Sequence, residues 1–100
     1  MNYQTIIKLI QCDQFTKVTN EGKCFEDATS IYAKEIGQNI FLVFITLQND
    51  TTENIRAMIA HFEDLNSIGL REPKQIMFYL SIKDKNDLHY FDKYLKVPEL

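Results

Sequence analysis

No tryptophan occurs in the 100 residues, and glycine, proline and cysteine number only three, two and two. Each scarcity removes a class of protein. The glycines stand apart at positions 22, 37 and 69, so there is no glycine-rich loop to cradle a phosphate. Two cysteines are too few for a disulfide scaffold, and without an export signal Cys12 and Cys24 are expected to be reduced. No apolar run approaches the roughly 18 residues of a membrane helix. The opening M-N-Y-Q-T-I-I-K-L-I-Q lacks a basic region and a small-residue cleavage site, so it does not read as a signal peptide, and a cytoplasmic location is expected. A basic stripe is lacking too. The net charge is −3, with six acidic against four basic residues in the first half and eight against seven in the second. Lys83, Lys85, Lys93 and Lys96 come nearest to one, but Asp84, Asp87 and Asp92 interrupt them, and direct nucleic-acid binding is not expected. With no repeat, linker or low-complexity stretch, residues 1–100 read as one domain.

What is present is an apolar stretch, Ile40 to Leu47, around which the remaining pattern is arranged. Ile40, Leu42 and Phe44 form one alternating set, and Phe41, Val43, Ile45 and Leu47 the other. A strand apolar on both sides needs cover on both. Its length, its β-branched and aromatic content, and the polar residues that bound it favour a central strand over a buried helix. Residues 3–11 fit either a strand or a helix, and we assign them as strand because the sheet would otherwise be very small. Phe15 to Thr19 suits a short return strand. Residues 24–36 carry Phe25, Ala28, Tyr32 and Ile36 at helical spacing, with Gly37 as a left-handed stop. A second helix is expected from Asp50, which forms a capping-box pattern with Glu53. Ile55, Met58, Ile59, Phe62 and Leu65 are its apolar face and Gly69 its stop. Gln75 to Ile82 reads as a strand, with Ile76, Phe78, Leu80 and Ile82 on one face and Met77, Tyr79 and Ser81 on the other. A last helix is expected from Asp84 through Leu95, packed by Leu88, Phe91 and Leu95. The middle is thus strand, helix, strand, as in a right-handed crossover. The expected fold is a small α/β domain, a mixed sheet of three or four strands with about three helices packed on it, compatible with a ferredoxin-like arrangement.

Chemistry is harder to find. Cys12, Cys24, His61 and His89 are separated by 11, 36 and 27 residues, which matches no zinc spacing. Neither a metal nor any other cofactor is expected. The neighbours in Glu26-Asp27 and Glu63-Asp64 diverge on a helix and cannot act as an acid–base pair. Tyr79, Tyr90 and Tyr94 are more informative. The simplest account sets them at the core boundary with their hydroxyls wet. The functional account makes them anchors of a protein interface, with Asp84, Asp87 and Asp92 at its rim.

The segment Gly69-Leu70-Arg71-Glu72-Pro73-Lys74-Gln75-Ile76-Met77-Phe78-Tyr79-Leu80-Ser81-Ile82-Lys83-Asp84-Lys85 resembles part of the regulator of ribonuclease activity B domain family. The likeness rests on a Gly-x-x-x-Pro passage, an aromatic-rich strand, and acidic residues opening a helix. It covers under a third of the chain, and the Asp-Gly-Trp passage of that family is absent. The resemblance implies a ferredoxin-like fold and a small acidic protein that binds and inhibits a ribonuclease; no functional residue is carried over.

By subtraction, the expected function is that of a non-catalytic protein-binding module. An acidic inhibitor or immunity-type protein acting on a basic toxin or nuclease is the expected form. Two alternatives stand beside it. One is an enzyme or small-ligand binder with a site at residues 48–51 (Gln48, Asn49, Asp50 and Thr51), at the carboxyl end of the central strand. The other is a homodimeric structural protein.

Overall fold

Strand β3, Ile40–Gln48, lies in the middle of a five-stranded sheet. The computed structural model describes residues 8, 10, 15–19, 29–48, 53–83, 85–91, 93 and 94. β1 is Thr16–Val18, β2 is Thr29–Gly37, β4 is Glu53–His61 and β5 is Gln75–Ile82. They run in chain order across the sheet, and every neighbouring pair is antiparallel. Two short 3-10 helices complete the described elements: η1, Leu65–Ser67, and η2, Lys85–Phe91.

Antiparallel pairing places residues opposite one another on the same side, so the register divides the side chains into two faces. Ile31, Ala33, Phe41, Val43, Ile45, Met58 and Ala60 are buried on the first face, beneath Phe62 and Ile68 from the segment that follows β4. Leu42, Phe44, Ile55 and Ala57 are buried on the second, beneath Ile10 and the η2 residues Leu88 and Phe91. Phe44 meets Phe15 and Phe91 edge-on, with ring centroids 5.5 and 5.8 Å away. The expectation that the central stretch would need cover on both sides is met, but loops and 3-10 turns do most of the covering.

The α/β reading is overturned. The described residues form an all-antiparallel meander, with neither the mixed sheet nor the three packed helices among them. No crossover of the ferredoxin-like kind joins its strands. The helix expected over 24–36 is strand β2 from Thr29 onward; residues 24–28 lie outside the described residues. Ile31 and Ala33 face one core and Tyr32 and Ile36 the other, so the stretch obeys a period of two as well as one of four. The expected second helix is β4. Its Ile55 and Ala57 are buried on one face and its Met58 and Ala60 on the other. Ala and Met favour helix intrinsically. Here the pairing of β4 between β3 and β5 prevails. Asp50 lies outside the described residues, and Glu53 begins a strand rather than a helical turn. A capping box forms at η1 instead: Ser67 N donates to Asp64 Oδ1 at 2.9 Å, and Asp64 N donates to Ser67 Oγ at 3.3 Å.

β5 has the expected bounds and β1 the expected place. Of residues 3–11, only Lys8 and Ile10 are described, and both are helical rather than extended. The last helix is the 3-10 turn η2. Leu88 and Phe91 are its buried residues, as expected, whereas Asp84 and Leu95 lie outside the described residues. Gly37 ends β2 beside a tight turn rather than stopping a helix, and Asn39 takes the left-handed conformation there (φ 57°). That turn is tied at both ends: Asn39 N donates to Glu35 Oε2, and Phe62 N donates to the Asn39 carbonyl, each at 3.0 Å.

Candidate functional site

The two edges of the sheet are built differently. β1 is three residues long, which limits what can pair with it. β5 is eight residues long, Q-I-M-F-Y-L-S-I, without a charge or a proline. Among the described residues it pairs only with β4, and none of them pairs with the other side of its backbone. An exposed, long, apolar edge strand is the feature that natural sheets usually cover or blunt.

A β-bulge shapes this edge. Met58 pairs with Tyr79 and Ile59 with Phe78, but Ala60 pairs with Ile76, which leaves Met77 as the extra residue. The bulge shifts Ile76 from the face expected for it to the face of Tyr79. Phe78, Leu80 and Ile82 remain on the second face and pack against its core. The segment covering the first face does not extend over β5. Ile76, Met77 and Tyr79 are 52%, 47% and 49% exposed, and Leu70 is 46% exposed. Beside them is a shallow depression of about 490 Å³, lined by Met58, Glu72, Pro73, Lys74, Ile76 and Tyr79 among others.

The expected anchors separate. Tyr79 stands on the open first face. Tyr90, in η2, is 65% exposed on the second face, where its ring lies 5.8 Å from that of Phe78. Tyr94 is half-buried against the second core. Its backbone is held at both ends: Tyr94 N donates to the Phe91 carbonyl at 2.8 Å, and Lys34 Nζ donates to the Tyr94 carbonyl at 2.9 Å. Asp87 accepts a hydrogen bond of 2.6 Å from Lys83 N, so it ties the end of β5 to η2. Asp84 and Asp92 lie outside the described residues. The charged residues around the open face include Arg56, opposite Ser81, with Glu72, Lys74 and Lys83, and are of both signs.

The alternative site loses its geometric basis. A cleft at the carboxyl end of the central strand belongs to parallel sheets at a reversal of strand order. Here β3 runs antiparallel to both neighbours, and Gln48 pairs with Glu53. Asn49, Asp50 and Thr51 lie outside the described residues. His61 is in β4 rather than on a helix flank, and His89 is exposed in η2. Among the described residues no group of three or more His, Cys, Asp or Glu is placed to hold a metal ion. No helix among them is long and apolar enough to cross a membrane.

Sequence reasoning singled out Tyr79 but missed Ile76 and Met77. The available signal was the uncharged, proline-free run from Gln75 to Ile82, which cannot reveal by itself that it lies at an edge. The chain matches no known family model, no curated protein and no solved structure. The likeness of residues 69–85 to the ribonuclease-regulator family therefore gains no support from relatives.

Proposed function

We propose that the protein is a non-catalytic protein-binding module whose contact surface is the open edge and first face of β5. The observation that carries this reading is the coincidence, on one strand, of a backbone edge unpaired among the described residues with exposed Ile76, Met77 and Tyr79. An added strand gains main-chain hydrogen bonds from such an edge, and side-chain hollows beside it give specificity. The depression between Pro73, Met58 and Tyr79 is such a hollow. Tyrosine is a favoured anchor because it covers a large apolar area and keeps a polar tip.

The inhibitor or immunity form of the reading asks for a partner that is strongly basic. Mixed charge around β5 does not select a basic toxin or nuclease over other partners. The chemistry that fits this surface is an extended backbone with apolar side chains.

The test is capture from cells that express the protein, using the wild-type chain and a Tyr79→Arg variant side by side. Tyr79 is half exposed and outside both cores, so this variant should fold with an unchanged melting temperature. The wild type should retain a defined protein, a second copy of the chain included. The variant should lose at least about tenfold in affinity, as expected of a hot-spot anchor. Equal retention by both would remove β5 as the contact surface.

A further inference from the structure

We propose that the occupant of the β5 edge is the β5 strand of a second copy, paired antiparallel about a two-fold axis between Met77 and Phe78. The inference rests on the reading of β5 as a protein-binding surface and names the partner.

The bulge is the first argument. In a regular strand, residues three apart lie on opposite faces. The extra Met77 puts Ile76 and Tyr79, three apart, on the same face. A regular foreign strand laid along this edge would keep its faces aligned with β5 on one side of the bulge and lose them on the other. A second copy carries the same irregularity. With the axis between Met77 and Phe78, Ile76 of each copy opposes Tyr79 of the other. Both residues of each pair then lie on the first face. Gln75 opposes Leu80 on the second face, and the alignment holds from Gln75 to Leu80. The exposed side chains of one copy thus cover those of the other, as a two-fold contact between identical patches requires.

Charge is the second argument. Lys83 lies one residue past the strand and Glu72 three residues before it, so this register brings Lys83 of each copy to the same end of the contact as Glu72 of the other. Both are exposed. Opposite charges facing across a strand pair are favourable and like charges are not. From Gln75 to Leu80 no charged residues oppose one another in this register. Moving the axis to lie between Phe78 and Tyr79 would set Lys74 against Lys83 and put those two aromatic residues, which belong to different faces, directly opposite.

Sedimentation over roughly 1 μM to 1 mM covers the range in which a specific association of this kind would be seen. The wild type should show a reversible monomer–dimer equilibrium. Ile76→Lys should weaken dimerisation at least about tenfold by setting a charge beside Tyr79 of the other copy. Lys83→Glu brings carboxylates of the two copies together at both ends of the contact and should weaken it about three- to tenfold. Lys83→Glu combined with Glu72→Lys should restore it to within about twofold, because the two positions couple only if they meet. Both charge positions are exposed, so these variants should fold. A dimer indifferent to Lys83→Glu, or one not restored by the double exchange, overturns the register. A wild type that stays monomeric throughout overturns the dimer. If that monomer still captures another protein in a Tyr79-dependent way, the reading of β5 as a binding surface survives. If it captures none, both fall.

Discussion

Gly69 shows how one residue can be anticipated for one reason and required for another. Its spacing after an apolar stripe suggested a helix stop, where a left-handed glycine belongs. It does adopt that conformation, with φ +82°, but in the loop after η1. A Cβ there would be driven onto the Thr19 carbonyl oxygen and would crowd Ile31 Cδ1 at 3.3 Å. The obstacle on the Thr19 side is backbone, which cannot rotate aside. Gly69→Ala should therefore cost roughly 2–4 kcal/mol, adding the left-handed penalty to the steric one. Urea denaturation would measure it, and a loss below about 0.5 kcal/mol, the scale of an ordinary surface change, would mean that the loop does not press on residue 19 as described. Gly37 lacks this constraint: a Cβ would meet only Ile40 side-chain atoms at 3.6 Å, an ordinary contact.

At the scale of the element, β2 and β4 show where periodicity stops being informative. A strand buried on both faces is apolar at nearly every position, so it contains a helical stripe by default. In β4, Ile55, Met58 and Ile59 fit that stripe, and the small Ala57 and Ala60 look like the helix formers they are in isolation. Their burial on opposite faces follows only from neighbours on each side. β3 escaped the ambiguity because its residues, I-F-L-V-F-I-T-L, have high β-propensity and little helical preference. The same positions govern local stability. Amide exchange should be slowest in β3 and β4, which are paired on both sides, and fastest in β1, which is short and lies at an edge. Protection in β1 equal to that in β3 would contradict this strand order. If β5 pairs with a second copy, its protection should rise with protein concentration.

For the whole molecule, the sheet is covered by apolar side chains on both sides. The described residues assemble no metal-ligating cluster, and their apolar side chains divide into two buried sets with β3 and β4 contributing to both. Dialysis against a strong chelator should leave the melting temperature unchanged, because metal-dependent folds lose their folding free energy with the metal. A large drop, reversed by zinc, would bring back the grouping of Cys12, Cys24, His61 and His89.

The sequence by itself determined which stretches are buried most deeply, where β3 and β5 begin, and that Leu88 and Phe91 would pack the last element, expected as a longer helix. These follow from local hydrophobicity and β-propensity, which act over a few residues. It also pointed to Tyr79, because the strand alternates and that side is the less apolar. Tertiary structure decided the rest. Whether Ile31 to Ile36 and Ile55 to Ala60 extend or coil depends on which strands flank them, a contact between segments remote in sequence. Whether Tyr79 is a core residue or a surface anchor depends on β5 lying at the edge. And Ile76 reaches the face of Tyr79 only through a bulge against β4, an irregularity of pairing that leaves no mark in the composition of either strand.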